Sequence, residues 1–359
     1  MRPAWIEVDL GAIRTNVGTA RSFLGPSTRL MAVVKADAYG HGAAPVARAA
    51  LEAGAAWLGV ALPSEAEALR AAGIRSPVLV FGPADAEEIA RGAGSRISFT
   101  VFSHAMLVAA RRAANPATPV ALHLEIDTGM GRAGFRAEDA VRIAGDIAST
   151  PGLILEGVFT HFATADTDSG YARQQLGRFL EAIAALEEAG HRGILRHAAN
   201  SAALFTLPEA HLDMVRMGIG LYGLSCGVEV AGLRPALRVV ARAVQVKRVA
   251  AGTPISYGAT YRALRETAIV TVPIGYADGI PRALSNRGHA AIGGRRVRYA
   301  GRVCMDYLML DAGDLPVAEG DEVELLGPHV PAEEVAALCE TIPYEIVSRL
   351  SPRLPRRYT

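Results

Sequence analysis

The stretch Leu30-Met-Ala-Val-Val-Lys35-Ala-Asp-Ala-Tyr-Gly-His-Gly42 contains the strongest indication of the fold. The apolar run Leu30–Val34 predicts a buried strand, and Lys35 follows it directly. An open, doubly wound sheet usually carries a glycine-rich G-x-G-x-x-G loop after its first strand. The segment after Val34 lacks that pattern. The stretch therefore favours a closed barrel over an open sheet.

Short apolar runs alternate with Ala/Arg/Glu-rich segments from about residue 30 to 220. Helical periodicity is present in Ala44–Glu52, Ser64–Ala71 and Tyr171–Ala189. This alternation predicts a (β/α)8 barrel of the α/β class. The predicted strands are Leu30–Val34, Trp57–Ala61, Val78–Phe81, Ile97–Val101, Val120–Ile126, Ile154–Thr160, Ile194–His197 and Met214–Ile219.

The pattern changes near Leu233-Arg234-Pro235. Beyond this point, alternating apolar and polar runs are separated by Gly and Pro turns, and one short helix fits Ala332–Cys339. Such a pattern predicts a mostly β C-terminal domain. We place the barrel at residues 9–232 and the β-rich domain at residues 233–359, with residues 1–8 as a candidate extra strand.

Composition excludes several classes of function. The 359 residues carry a formal net charge of +1 that is scattered along the chain, which argues against a nucleic-acid-binding surface. The three cysteines, Cys226, Cys304 and Cys339, are too widely spaced to suggest a disulfide framework or a zinc site, so we expect no metal. The N-terminus lacks the apolar segment of a signal peptide, and no apolar run approaches the ~18 residues of a membrane span. We therefore expect a cytoplasmic protein.

Lysine is scarce in this chain. Of the 37 basic residues only Lys35 and Lys247 are lysines, which indicates a general bias toward arginine. Arginine cannot replace lysine where an amine must lose its proton and attack a carbonyl. Lys247 is equally scarce but lies in an alternating β run beside Arg248, so scarcity alone does not identify a functional residue.

Polar residues follow or end several predicted strands, and (β/α)8 barrels hold their active sites at the C-terminal ends of the strands. Each residue also has an ordinary structural explanation: a hydrogen-bonded loop histidine, an ion-paired arginine or a helix cap. Their convergence on one rim nevertheless predicts a barrel enzyme with its site near Lys35. These residues are Lys35, Arg132, His161, His197, Asn200, Ser201, Arg216 and Gly218.

Motifs from residue 5 to about residue 355 resemble the alanine racemase family, and they occur in that family's order. One such motif alone would be weak evidence, but this many motifs in the same order are specific. The motifs are Trp5-Ile-Glu-Val-Asp-Leu10, Val33–Gly42, Asp127-Thr-Gly-Met-Gly-Arg132, His161–Asp166, Ala199–Ala202, Arg216–Ile219, Ser256–Tyr261, Gly275–Gly279, Gly301–Asp306 and Tyr344.

The resemblance implies that pyridoxal 5′-phosphate (PLP) is the cofactor and that Lys35 holds it as a Schiff base. It also implies interconversion of L-alanine and D-alanine, which supplies D-alanine for the peptidoglycan of the cell wall. The family forms homodimers, in which each active site combines one barrel with the second domain of the partner. The cofactor-binding residues implied are Lys35, Tyr39, His161, Asn200, Ser201, Arg216, Gly218, Ile219 and Tyr344.

In the family pattern, Arg216 faces the pyridine nitrogen of the cofactor. Many PLP enzymes place an aspartate there, which keeps the nitrogen protonated and the ring a strong electron sink. Arginine only donates hydrogen bonds, so the nitrogen should stay unprotonated. We infer that transamination, a side path that needs protonation at the cofactor's own carbon, becomes less favourable.

Racemisation needs a proton removed from one face of Cα and returned on the other, which two opposed bases accomplish. The resemblance implies that Lys35 handles the D-alanine proton and that Tyr257 of the partner handles the L-alanine proton. Free tyrosine has a pKa of about 10, so this base needs assistance near neutral pH. A network through His161 to the positive charge of Arg216 is expected to favour the phenolate.

Arg132 and the Met305 backbone match the contacts of the family to the substrate carboxylate. One departure concerns Glu125, which stands where the family often has a carbamylated lysine that orients this arginine. Our hypothesis is that Glu125 replaces the carbamate without requiring carbon dioxide, and that Glu125→Gln weakens alanine binding. The residues matching the family's entrance channel are Tyr276, Arg282, Arg302, Asp306 and Ile342.

Two other readings remain open at this stage. Racemases for serine, lysine or a broad set of amino acids share these motifs, although Tyr344 and Ile342 favour a small substrate. Related decarboxylases usually present an acidic residue to the pyridine nitrogen, so Arg216 argues against them. A non-catalytic PLP carrier shares the barrel but lacks a β-rich domain, and both that domain and Tyr257 argue against it.

Overall fold

The computed structural model describes residues 3–359, which form two compact units. One unit, the barrel unit, comprises Ile13–Ala38 and Ala43–Leu233. The other, the β-rich unit, combines the N-terminal residues up to Ala12 with Tyr39–Gly42 and Arg234–Thr359. Within residues 3–359, no helix combines the length and the apolar character needed to cross a membrane.

We number strands and helices along the chain. The strands are β1 Ala4–Val8, β2 Arg29–Val33, β3 Trp57–Val60, β4 Val78–Val80, β5 Ile97–Val101, β6 Val120–Asp127, β7 Phe135–Arg136, β8 Leu153–Phe159, β9 Leu195–His197, β10 Met214–Met217, β11 Leu237–Arg242, β12 Gln245–Val249, β13 Pro254–Ile255, β14 Tyr261–Arg262, β15 Thr267–Val272, β16 His289–Ile292, β17 Arg295–Tyr299, β18 Leu308–Gly313, β19 Glu322–Leu326 and β20 Arg356–Tyr358.

The helices of the two units are mostly short. The α-helices are α1 Leu10–Ser22, α2 Ala43–Glu52, α3 Pro63–Ala71, α4 Ala86–Gly92, α5 His104–Ala113, α6 Ala140–Ala148, α7 Ser169–Glu188, α8 Ser201–Thr206, α9 Ala332–Leu338 and α10 Pro343–Ser348. Turns of 3-10 helix occupy Ala137–Asp139, Pro208–Ala210, Ile219–Tyr222, Tyr257–Ala259, Tyr276–Asp278 and Arg282–Leu284.

The barrel unit is a parallel sheet in the order β10-β2-β3-β4-β5-β6-β8-β9. Its two ends meet because the N–H groups of Asp213 and Arg216 donate to the carbonyls of Arg196 (3.1 Å) and Ala199 (2.9 Å). The predicted (β/α)8 barrel is therefore confirmed. The predicted strands lie close to the observed ones, and the short β7, which pairs with β6, is an addition that the sequence pattern does not indicate.

The barrel forms because its strands are nearly continuous apolar runs, as expected for parallel strands buried on both faces. A cluster of Met31, Trp57, Leu79 and Met214 comes from four different barrel strands. Helix starts are fixed by side-chain caps. Asp168, for example, accepts the N–H groups of Gly170 (2.9 Å) and Tyr171 (3.2 Å) at the start of α7.

The β-rich unit is built around a mixed sheet in the order β12-β15-β18-β17-β16-β19-β11-β1-β20. Within it, β1 is antiparallel to β11 and parallel to β20. A separate hairpin joins β13 and β14, and the turn Tyr257–Ala259 lies between these two strands. The predicted mostly β character of the C-terminal part is confirmed.

Candidate active site

Lys35 lies just beyond β2 at the C-terminal rim of the barrel, where its side chain is partly buried. Burial and the charge of Arg132 lower the pKa of Lys35, whereas Glu65 acts in the opposite direction. A lysine with a lowered pKa is more often neutral near pH 7. That is the protonation state in which an amine attacks a carbonyl or accepts a proton.

The turn after Lys35 has a left-handed backbone at four successive non-glycine residues, with φ between 51° and 53° from Ala36 to Tyr39. This conformation costs roughly 1–2 kcal/mol per residue. Hydrogen bonds within the barrel unit offset the cost. Glu65 accepts the N–H groups of Ala36 (2.6 Å) and Ala61 (2.8 Å), and Asp37 accepts that of Ala43 (2.8 Å).

Arg216 on β10 is buried and has most of its donors engaged. Its Nη1 donates to His197 Nδ1 (3.0 Å) and the His197 carbonyl (3.1 Å). Its Nη2 donates to the carbonyls of Thr160 (2.8 Å) and Ala198 (3.0 Å) and to His161 Nδ1 (3.2 Å). A guanidinium carries five N–H donors. Within the described part of the chain, Nε–H is the donor of Arg216 that none of these bonds uses.

Charge is distributed unevenly over this rim. Burial lowers the pKa of Arg216 to about 10, which leaves it cationic at neutral pH. Burial and the Arg216 charge lower the pKa of both His161 and His197 well below the usual range. Both imidazoles are therefore neutral near pH 7. Because Arg216 donates to each Nδ1, the remaining proton of each ring lies on Nε2.

Ser201, Gly218 and Ile219 form a second part of the rim, near the end of β10. Ser201 Oγ accepts the N–H groups of Gly218 (2.8 Å) and Gly220 (3.3 Å), which leaves its hydroxyl proton free to be donated. Asn200 caps helix α8 by accepting the N–H of Ala203 at 3.0 Å. Ser201 and Ile219 are buried, and the backbone of Gly218 beside them is not helical. The donors of this part of the rim are the hydroxyl of Ser201 and the backbone N–H of Ile219.

Arg132 is exposed on the loop that follows β6. Asp127 at the end of β6 shapes this loop by accepting the N–H groups of Gly129 (2.9 Å), Met130 (2.9 Å) and Gly131 (3.1 Å). Gly129 has a φ of 135° and Gly131 a φ of 70°, values that suit glycine. The loop is therefore well defined although the side chain of Arg132 is open to solvent.

Glu125 on β6 is buried, with 5% of its surface exposed. Burial raises the pKa of this carboxyl group, and the charges of Arg132 and Arg216 partly offset the rise. The two arginines therefore act on Glu125 through space. This geometry is compatible with the hypothesis that Glu125 balances the charge of Arg132, which stays a prediction.

Tyr257 belongs to the β-rich unit, and 71% of its surface is exposed. Its neighbours have a left-handed backbone, with φ of 64° at Ser256, 74° at Gly258 and 48° at Ala259. Ser256 Oγ donates to the carbonyl of Arg302 at 2.7 Å. The turn thus holds an exposed phenol on a fixed backbone.

An open cleft of about 870 Å³ adjoins Tyr257 within the β-rich unit. Its walls combine apolar side chains with Gln245, Ser256 and Thr271. The lining residues are Val244, Gln245, Ser256, Tyr257, Gly258, Thr271, Cys304, Tyr307 and Met309.

Most of the other predicted residues of the β-rich unit lie on loops and short turns, and Tyr344 lies in helix α10. Met305 is 53% exposed and Ile342 is 58% exposed. Tyr276 and Arg282 begin 3-10 turns, and Asp306 accepts a hydrogen bond from Arg353 at 2.7 Å. The rings of Tyr39 and Tyr344 are 6.1 Å apart within this unit. These residues belong to the β-rich unit, whereas the barrel rim belongs to the barrel unit.

Sequence reasoning missed two kinds of residue. Glu65 and Asp127 act through backbone N–H groups, and only the observed turns reveal those partners. His123 and Glu156, which connect to His197, lie inside predicted strands, where polar residues are easily taken for satisfied core groups. A histidine within the apolar run Val120–Ile126 was the signal that the sequence offered.

Comparison with known proteins covers both units. Residues 8–226 match the family model for the alanine racemase N-terminal domain, and residues 236–358 match that for the alanine racemase C-terminal domain. A protein of Desulfovibrio desulfuricans named alanine racemase is 46% identical over 365 residues, covering 99% of this chain and 98% of that protein. An alanine racemase of Symbiobacterium thermophilum is 47% identical over 372 residues, covering 100% of this chain and 97% of its own.

Solved structures give the same result. Alanine racemase from D-cycloserine-producing Streptomyces lavendulae superposes with a TM-score of 0.93 at 40% identity, covering 100% of this chain and 97% of that one. Alanine racemase from Bacillus anthracis, solved with bound L-Ala-P, superposes with a TM-score of 0.94 at 39% identity, covering 100% and 95%.

Proposed function

We propose that this chain, which belongs to the alanine racemase family, interconverts L-alanine and D-alanine with PLP as its cofactor. The observation that carries the proposal is the barrel rim. The rim brings together three side chains. They are Lys35, whose pKa is lowered, the buried Arg216, whose Nε–H makes none of the hydrogen bonds described above, and the neutral His161. Length, fold and likeness to enzymes of this name along the whole chain support the same reaction.

The residues present fit PLP by their chemistry. Lys35 offers the aldehyde an amine whose pKa is lowered by burial and by the charge of Arg132. The hydroxyl of Ser201 is a donor for the phosphate, with the N–H of Ile219 as a second candidate. The Nε–H of Arg216 remains to face the pyridine nitrogen. When bound, PLP supplies an electron sink for the negative charge that develops at the substrate Cα.

Arg216 sets the character of that electron sink. With a pKa of about 10 it keeps its protons at neutral pH, and it donates a hydrogen bond without transferring the proton. A cofactor ring held by this donor would keep its nitrogen unprotonated and would supply a weaker electron sink. We expect proton return to Cα to be favoured over transamination.

Proton transfer is assigned to Lys35 on one face of Cα and to Tyr257 of a second copy on the other. His161 accepts from Arg216 at Nδ1, so its Nε2–H is the group that can donate to a phenolate. The exposed position of Tyr257 in its own unit supports a role in the site of a partner, and we propose a homodimer. Arg132 and the backbone of Met305 are the proposed carboxylate contacts.

The direct test is a polarimetric or D-alanine-coupled assay of the purified, PLP-loaded protein with L-alanine, L-serine and L-lysine. We expect racemisation of alanine well above that of the other two. Comparable rates with serine or lysine would instead assign a broader racemase. Bound PLP without any loss of optical rotation would indicate a non-catalytic carrier and would contradict the proposal.

The shared site is tested by mixing two inactive variants, Lys35→Ala and Tyr257→Phe, and isolating the heterodimer with two different affinity tags. One of its two sites then combines an intact Lys35 with an intact Tyr257. We expect activity to return to about half that of the wild type. No recovery in verified heterodimers would contradict the shared-site arrangement.

A further inference from the structure

A line of hydrogen-bonded side chains leads from Arg216 to a carboxylate elsewhere in the barrel unit. Arg216 Nη1 is 3.0 Å from His197 Nδ1, and His197 Nε2 is 2.9 Å from His123 Nδ1. His123 Nε2 lies 3.2 Å from Glu156 Oε2, which also accepts a hydrogen bond from Ser98. None of the reactions assigned above uses His123, Glu156 or Ser98.

The line is closely enclosed by its neighbours. His123 and His197 have no exposed surface, while the Glu156 side chain is 33% exposed. Phe159 stacks on the His197 ring at 4.8 Å with an interplanar angle of 13°. The ring of His123 lies against Gly157, where an added Cβ would come within 2.4 Å of Nδ1. Both imidazoles are therefore held in fixed orientations.

Donor chemistry fixes the protons along this line. Arginine has no acceptor, so His197 Nδ1 must accept and His197 carries its proton on Nε2. That N–H donates to His123 Nδ1, so the proton of His123 lies on Nε2 and is donated to Glu156. A second proton on either imidazole would set two N–H groups against each other. The line is therefore a cation, two neutral rings and an anion, with every hydrogen bond pointing toward Glu156.

We propose that Glu156 and His123 are positioning residues that fix the tautomer of His197 and so hold the guanidinium of Arg216 in the orientation that leaves Nε–H for the cofactor ring. The inference rests on the proposed function for the identity of that ring. The tautomers themselves follow from the protein alone. Burial and the charge of Arg216 lower the pKa of His197, which also favours a neutral imidazole.

The first test needs no variant. In holoenzyme labelled with 15N-histidine, long-range 1H–15N correlation spectra distinguish the two tautomers from the cation. We expect both His123 and His197 to be neutral Nε2–H imidazoles, each assigned by the loss of its signal in His123→Gln or His197→Gln. A cationic or Nδ1–H form at either residue would overturn the inference, whether or not the protein racemises alanine.

The second test uses Glu156→Gln, with Glu156→Asp as the conservative rescue. The matched control is Glu209→Gln, which removes another partly exposed carboxylate of the same unit, paired with Arg173 at 2.9 Å. Residues that orient metal-bound histidines in the same way typically cost about 10- to 100-fold when they are replaced, and we take that range as the expectation here. We expect such a fall in kcat, a KM for alanine within about twofold of the wild type, a shifted absorbance of bound PLP and partial recovery in Glu156→Asp.

A kcat and PLP spectrum of Glu156→Gln equal to those of Glu209→Gln would overturn the inference. Gly157→Ala provides an independent variant, because its Cβ displaces His123 while leaving the carboxylate in place. It should reproduce the shifted absorbance of bound PLP, and it should also shift the imidazole signal of His197. If the wild type binds PLP but does not racemise alanine, the proposed function fails, while these two spectroscopic readouts still decide the inference.

Discussion

The segments around Lys35 and Tyr257 both contain non-glycine residues with positive φ, but the two segments lie in opposite surroundings. Residues Ala36 to Tyr39 have φ between 51° and 53°, and three neighbours of Tyr257 have φ of 48° to 74°. Lys35 lies among the charges of the barrel rim, whereas Tyr257 is 71% exposed. Strain of this kind persists only where surrounding bonds over-determine it. Both segments therefore hold their side chain in a fixed direction.

The difference between them shows where each proposed base obtains its reactivity. The barrel unit itself supplies the burial and the Arg132 charge that lower the pKa of Lys35. Tyr257 lies on its turn beside an open cleft of its own unit. Under the proposed function, Lys35 owes its reactivity to groups of its own chain. Tyr257 owes its reactivity to groups in the active site of the partner subunit.

Replacement of Lys35 should have the largest effect. Lys35→Ala and Lys35→Arg should each lower racemisation in both directions by more than about 10⁴-fold, because the cofactor link and one base are lost together. Arginine cannot be deprotonated, so it should not rescue activity. The initial rates with L-alanine and D-alanine measure this, and Lys247→Arg is the matched control. Activity of Lys35→Arg within tenfold of the control would break the comparison.

Tyr257→Phe should follow, with a loss of about 10²–10⁴-fold in racemisation. Tyr257→Phe should slow exchange of the Cα proton on one face only, whereas Lys35→Ala should abolish the reaction on both faces. In D2O, exchange of the Cα proton of D-alanine should persist through Lys35, while exchange in L-alanine should nearly vanish. Proton NMR of the two enantiomers measures both rates. Equal loss of exchange in both would show that the two residues do not serve separate faces.

The fixed direction of Tyr257 can be tested with two glycines of the β-rich unit. At Gly301, with φ of 88°, an added Cβ would lie 2.5 Å from Ser256 Cβ, whereas at Gly320, with φ of 95°, it would meet nothing within 4 Å. Each alanine variant should lose roughly 1–2 kcal/mol in its free energy of unfolding, because alanine disfavours a positive φ. Only Gly301→Ala should also lose activity, by up to about 10²-fold, because misplacement of a reacting group is costly.

Thermal unfolding and kcat of the two variants separate these effects. A kcat of Gly301→Ala equal to that of Gly320→Ala would show that the turn around Tyr257 tolerates displacement.

The smallest expected effect concerns the charge beside Arg132. Glu125→Gln should raise the KM for alanine by a few-fold, up to about tenfold, with a small change in kcat. Burial raises the pKa of Glu125, so in the wild type the carboxylate becomes protonated above the usual carboxylate range. The wild-type KM should therefore rise as pH falls through that pKa. The same pH dependence of KM in Glu125→Gln would remove Glu125 from the substrate site.

The barrel could be predicted from sequence because buried parallel strands are near-continuous apolar runs, and their C-terminal ends locate the site. The left-handed turn after Lys35 could not, because alanine, aspartate and tyrosine in Ala36–Tyr39 favour the ordinary hand. Its partner Glu65 lies 29 positions away. Tyr257 was identified by family resemblance rather than by pattern, since it follows no barrel strand. His123 was missed because a histidine within an apolar strand has no local partner in sequence.

The position of β1 in the β-rich sheet has a consequence for how the chain is made. Strand β1 lies between β11 and β20, and Ile6 donates its N–H to the carbonyl of Pro355 at 3.0 Å. During synthesis β1 therefore waits for its partners at Leu237–Arg242 and Arg356–Tyr358, which are made more than two hundred residues later. Contacts of such long sequence separation form slowly. The barrel, whose strand pairs are closer in sequence, can begin to fold while β1 is still unpaired.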